Sequence, residues 1–108
     1  MHPRRGELWW ATLDPAIGSE IRKTRPCLVL TTDVLNEHRR TVVVIPLSTS
    51  PAAYPIRVTI RCEGRGAVAI VDQIRAISKQ RLRSRIGQAS ASELADVEAA
   101  LKQILELP

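Results

Sequence analysis

Arg25 stands immediately before a proline in the stretch GSEIRKTRP, Gly18 to Pro26, which packs a turn glycine, a serine, a carboxylate and several cations ahead of the apolar run CLVL. Proline biases the residue before it toward an extended backbone, so the Arg25 guanidinium is expected to project from a fixed place at a strand's mouth rather than from a floppy loop. A planar guanidinium fork matches phosphate oxygens, and Arg22 and Lys23 add positive potential beside it. Glu20 admits two readings in this company: an ion-pair partner of the cations, or a base or base-edge acceptor in a site.

A second group lies in PLSTSP, where Ser48, Thr49 and Ser50 follow the most hydrophobic segment of the chain. Hydroxyls at the end of a buried strand can donate to a phosphate or a base, although Ser/Thr clusters also simply make turns. A third group, Lys79, Arg81, Arg83 and Arg85, has the alternate spacing of one face of an extended segment. It reads either as a solvated face or as a stripe that touches a nucleic-acid backbone.

Other chemistries have little to work with. The histidines are His2, next to the N-terminus, and His38, in the polar segment NEHRR, so a histidine acid–base pair is not expected. No phosphate-cradling glycine loop, dinucleotide fingerprint or HExxH motif is present, and no metal or cofactor is expected. Cys27 and Cys62 fall in strand-like segments without CxxC spacing and read as buried free thiols; a disulfide between them depends on a Cα separation that spacing does not reveal. With Trp9, Trp10 and Tyr54 as the aromatic residues, a base-stacking module of the RRM or OB type is disfavoured.

The elements that must position these groups are mostly strands. Segments 6–13, 26–32, 41–47, 55–62 and 67–73 are short, rich in β-branched or aromatic residues, and separated by turn residues. In the fourth, Ile56, Val58, Ile60 and Cys62 alternate with Arg57, Thr59 and Arg61, which puts one face on a core and the other in water. The third, TVVVIPL, is apolar on both faces and reads as a central strand, with Pro46 expected to mark a bulge or the strand's end. Adjacent Trp9 and Trp10 must point to opposite faces, one inward and one left as a candidate interface residue.

The period then changes. Leu94, Val97, Leu101, Ile104 and Leu105 recur at helical spacing, and Ser90 followed by Glu93 has the form of a capping box, which predicts a helix over 91–107. A short helical turn with Asp33 as its cap is expected in DVLNEHR. These elements predict a small, strongly bent antiparallel sheet or half-open barrel with one terminal helix.

A chain of 108 residues with a net charge of +5 has room for one domain and suits an acidic partner: nucleic acid, an anionic surface or an acidic protein segment. Its longest apolar run, VVVIPL, cannot span a bilayer, and MHPRRGELWW lacks an export signal's apolar region, so a soluble cytosolic protein is expected. Exposed sheet edges in so small a fold favour pairing with a second copy.

Taken in order, RGELWWATLDPAIGSEIRKTRPCLVLTTDVLN, TVVVIPLSTS, VAIVDQIRAISKQRLRSRIG and the helix opening SxxEL resemble the MazF/PemK family of toxin endoribonucleases over nearly the whole chain. The resemblance implies that residues 1–108 form a single toxin domain with an SH3-like barrel of the CcdB/MazF type. It implies a homodimer that cleaves single-stranded RNA at short sequences without a metal and is silenced by an acidic, MazE-like antitoxin. It assigns the catalytic pair to Arg25 and Ser48, with Thr49 a substitute for the hydroxyl if a bulge at Pro46 shifts the facing. Ser19, Glu20, Arg22, Lys23, Thr49 and Gln73 then line the RNA groove. The alternative within the same architecture is a CcdB-like protein that poisons gyrase without catalysis.

Overall fold

The computed structural model describes residues 2–13, 23–49 and 56–108. Seven strands and two α-helices follow one another as β1 (Glu7–Thr12), β2 (Thr24–Val29), α1 (Asp33–His38), β3 (Thr41–Ser48), β4 (Val58–Cys62), β5 (Arg65–Ala69), β6 (Arg75–Ser78), β7 (Leu82–Gln88) and α2 (Ala91–Leu105). All described pairings are antiparallel, in the order β4-β5-β3-β2-β1-β7, with β6 also on β3. The expected bent antiparallel sheet, a half-barrel with a C-terminal helix, is what the chain forms.

Both faces of the sheet's centre are covered, as period-2 alternation requires. Leu8, Leu28, Ile45 and Leu47 share one core cluster with Val97 and Ala100 of α2, while Trp9, Ala11, Cys27, Val29, Val42, Val44 and Ile77 form a second. Alternation in β4 is as expected, with Val58, Ile60 and Cys62 buried and Arg57, Thr59 and Arg61 exposed. Trp9 is the inward tryptophan and Trp10 the half-buried one. At Gly6, φ is +91° and an added Cβ would lie 3.0 Å from Leu94 Cδ1, so only glycine brings the β1 entry this close under α2.

Pro46 neither ends nor bulges β3. Val43 accepts a hydrogen bond from Leu30 on the β2 side, so alternation turns the Pro46 backbone toward the opposite edge, where its carbonyl accepts from Ile70 N at 2.9 Å. On that edge β3 pairs with β6 over Thr41–Val44 and with β5 over Leu47–Ser48. The residue with no N–H sits in the gap between them. The segment expected as a strand to Gln73 therefore leaves the ladder after Ala69 and makes a 3-10 turn at Val71–Gln73.

Three further boundaries differ from expectation. Thr32, not Asp33, occupies the N-cap of α1; Asp33 is already helical, and its Oδ1 accepts from Arg5 N at 2.7 Å. Helix α2 stops at Leu105 because Glu106 adopts the left-handed conformation, leaving Leu105 exposed instead of on the buried stripe. Strands β6 and β7 form in a polar segment, held by ladders with β3 and β1.

The capping box forms as read. Ser90 Oγ accepts from Glu93 N at 3.1 Å, and Glu93 Oε1 accepts from Ser90 N at 2.8 Å. Glu93 Oε2 also accepts from Arg61 N at 2.8 Å, tying α2 to β4. Partial burial raises the Glu93 pKa, but these N–H donors, the Ser90 hydroxyl and the Arg61 charge together hold it below its ordinary value of 4.5. A carboxyl lowered in the folded state stabilises above its unfolded pKa, and that contribution is lost as pH falls through the folded value. The urea midpoint of the parent should therefore drop as pH falls below 4.5, and drop less steeply in Glu93→Gln, as read by circular dichroism.

Candidate active site

Strand register brings the arginine and the hydroxyl together. The β2–β3 ladder pairs Val29 with Val44, Leu28 with Ile45 and Cys27 with Pro46. That ladder ends at Cys27–Pro46, and Arg25 and Ser48 each lie two residues beyond it on their own strands. Alternation puts both on the Cys27–Pro46 face, at the ends of adjacent strands. On its other side Arg25 pairs with Ala11 of β1, and Ser48 pairs with Val68 of β5. Arg25 is half-buried, whereas Ser48 is only 5 % exposed and Thr49, next in the chain, is open to solvent.

Two backbone features steady the Arg25 end. Lys23 has a left-handed backbone, φ +67°, and its carbonyl accepts from Leu13 N at 2.9 Å, fastening the β1–β2 connection just before Arg25. Cys27 Sγ donates to Arg25 O at 3.7 Å. Burial pushes the Cys27 thiol up to about 12, with the Arg75 charge opposing weakly. Both cysteines are free and buried, as expected from the sequence.

Gln73 closes the 3-10 turn that Pro46 makes room for, half-buried beside the same edge of β3. Lys23, Arg25, Ser48, Thr49 and Gln73 thus flank the open end of the β2–β3–β5 junction. Ser19, Glu20 and Arg22, the remaining groove residues expected from the sequence, lie outside the described residues. Among the described residues, no group of three His, Cys, Asp or Glu side chains is placed to hold a metal.

A cleft of about 470 Å³ adjoins the pair on the other face of the same strands. Trp10, Pro26 and Thr49 line one side, and Cys62, Glu63 and Arg65 the other. Sequence reasoning left one of the two tryptophans, without choosing between them, as a candidate interface residue, and it missed Glu63 and Arg65. Neither belongs to a recognisable motif; the β4–β5 turn brings them there.

The alternating basic group largely serves the fold. Lys79 and Arg81 belong to a 3-10 turn, and Arg81 Nη1 and Arg83 Nε donate to Thr12 O at 3.1 Å and Thr12 Oγ1 at 2.9 Å. Arg85 Nε donates to Glu7 Oε2 at 2.6 Å, while Arg4 N and the Trp9 indole donate to Glu7 Oε1 at 2.7 and 3.1 Å. Burial raises the Glu7 pKa, yet these donors together lower it below the ordinary value.

Residues 4–105 match the family described as "PemK-like, MazF-like toxin of type II toxin-antitoxin system". The endoribonuclease MazF9 of Mycobacterium tuberculosis H37Rv is 39% identical over 114 residues, covering 96% of this chain and 97% of that protein. MazF (Form-I) from Deinococcus radiodurans superposes with a TM-score of 0.88 at 28% identity over 98% of both chains. A MazE–MazF (Form-I) structure from the same organism gives 0.77 at 26% identity, again over 98% of each.

The geometry around Cys27 yields a direct test. A thiol with no exposed surface and a pKa near 12 is neither accessible nor ionised at pH 8. Mass spectrometry after iodoacetamide treatment should find Cys27 unmodified in the native protein and alkylated once urea unfolds it.

Proposed function

The chain belongs to the PemK/MazF family of type II toxin–antitoxin toxins and is a toxin endoribonuclease, and from that premise we propose that Arg25 and Ser48 are its catalytic pair, cutting single-stranded RNA without a metal ion. The observation that carries this reading is that Arg25 and Ser48 each lie two residues past the Cys27–Pro46 pair that ends the β2–β3 ladder, which alternation puts on one face. A guanidinium and a hydroxyl so placed can donate to one phosphoryl group from two directions.

The nucleophile is the RNA's own 2′-oxygen. It attacks the adjacent phosphorus as the bond to the leaving 5′-oxygen breaks, giving a 2′,3′-cyclic phosphate and a 5′-hydroxyl end. Arg25 clamps the phosphoryl oxygens and Ser48 Oγ adds a donor, both aimed where negative charge develops. Since arginine stays protonated at ordinary pH, Glu20 or water takes the 2′-hydroxyl proton, while Arg25 acts as the clamp and as the proton donor to the leaving oxygen.

Ser19, Glu20, Arg22, Lys23, Thr49 and Gln73 contact the RNA around the cut. The neighbouring cleft has room for a base against Trp10. Residues 1–108 act as one toxin domain, paired with a second copy and working in the cytosol. An acidic, MazE-like antitoxin fills the cationic groove and blocks it, a reading supported by the net charge of +5 and by the similar MazF captured with MazE. The gyrase-poisoning alternative is not favoured, since the relatives are endoribonucleases.

Cleavage should survive excess EDTA, stop when the nucleotide 5′ of the scissile phosphate is 2′-deoxy, and leave the cyclic phosphate and 5′-hydroxyl ends. Arg25→Lys keeps a charge but loses the planar fork, so cleavage should fall about a hundredfold, near the effect of one lost transition-state donor, ~3 kcal/mol. Ser48→Ala should lose a similar factor and Thr49→Ala much less. Loss of activity in EDTA, or an Arg25→Lys variant that cuts like the parent, would overturn the arginine clamp.

A further inference from the structure

The far end of β3 carries a second basic feature that the Arg25–Ser48 pair does not use. Thr41 and Ser48 bound the strand, about 23 Å apart at ~3.3 Å per residue. At the Thr41 end a concave corner of about 640 Å³ is lined by His2, Arg39, Arg40, Ser78, Lys79 and Gln80, with no carboxylate among them. Its walls are fixed. Lys79 N donates to Arg40 O at 2.9 Å, the Lys79 ammonium donates to Asn36 O, and Ser78 Oγ accepts from Gln80 N at 3.2 Å. Arg39 and Arg40 remain exposed at the rim.

The corner and the catalytic end are joined by β6, whose described ladder is with β3 alone. Arg75, opposite Val44 on this strand, is half-buried, and its charge acts on the Cys27 thiol. Ser78, opposite Thr41, leads into Lys79 and the corner. Charges on an edge strand commonly serve to discourage strand pairing. Here the one charge on the strand, Arg75, stands between the Gln73 turn and the cation-lined concavity, so that cations recur along a path open to a polymer of repeated phosphates.

We propose that the β6 edge, from Arg75 to the corner formed by Arg39, Arg40 and Lys79, is a track for the RNA backbone outside the cleaved element. The inference rests on the reading that the Arg25–Ser48 end holds RNA. The track binds phosphates without reading bases, so it raises affinity for long strands and leaves the choice of cleavage site to the other end.

Fluorescence anisotropy with uniformly 2′-O-methylated RNA, which cannot be cut, tests this on the parent and on Arg39→Glu/Arg40→Glu. With a strand of about 25 nucleotides, the double variant should lose at least about tenfold in affinity at low salt, and its log K against log salt slope should flatten by about 1.4, two contacts at ~0.7 each. With a strand of about five nucleotides it should match the parent. Arg39→Lys/Arg40→Lys, which keeps both charges, should restore the long-strand slope and so excludes a folding defect. If the parent binds RNA but reversal leaves the long-strand slope unchanged, or weakens both strands equally, the track is wrong while the catalytic reading stands. If the parent neither binds nor cuts RNA, the catalytic reading fails and the track with it. Unchanged RNA binding with weakened binding of polyglutamate would assign the corner to an acidic protein segment and overturn the RNA track.

Discussion

The missing N–H of Pro46 is the constraint around which the site end of the molecule is arranged. A residue without a donor in the middle of β3 leaves one position on the strand's outer edge where no ladder can close. The chain answers by serving that edge with two strands, β6 and β5, and by looping out Val71–Gln73 between them. The Pro46 carbonyl stays satisfied by Ile70 N, so the interruption leaves no buried acceptor unpaired there. Two consequences follow from one residue: β3 continues to Ser48 under a new partner, and Gln73 comes to its flank. Arg25 is set by a second proline, Pro26, so two prolines on neighbouring strands fix the two donors.

Much of the described positive charge holds the fold. Arg5 donates to Leu30 O and Glu98, Arg85 to Glu7, Arg81 and Arg83 to Thr12, and Arg61 to Gly64. Such exposed or half-exposed bonds contribute little individually, but they keep these guanidiniums off the active end. The Glu7 carboxylate, nearly buried, is fully engaged by Arg85, Trp9 and the Arg4 amide. Arg25 itself lies on β2 opposite Ala11 of β1.

Much of this architecture could be read from residue types because local pattern and tertiary demand agree. Alternation in β4, the doubly apolar β3 and the Ser90–Glu93 box each state a burial face or a terminus in a few residues, and each is realised. Strand β6 was illegible for the opposite reason, and β7 showed only in the alternate spacing of its basic residues, which left its burial face unmarked. Ile77, Leu82 and Ile86 are too sparse among Arg, Ser and Gln to mark a face, and the segment is extended because β3 and β1 supply its ladders. The turn at Val71–Gln73 was equally hidden, since its cause lies on another strand. Arg25 and Ser48 stood out as types, but their common position past the end of the β2–β3 ladder is a property of register, which neither segment contains alone.

The same separation between type and placement bears on proton transfer. A guanidinium is a permanent donor, and a serine hydroxyl has little affinity for an added proton, so in the proposed mechanism the pair would supply charge stabilisation and leave the 2′-hydroxyl proton to another group. Glu7 is unsuited to accept it. Both of its oxygens are committed and its pKa is lowered, and a base already satisfied by three donors has little affinity for a further proton. A carboxylate without such bonds near the phosphate would be the more basic one, and the β1–β2 connection that carries Glu20 ends at Lys23, two residues from Arg25.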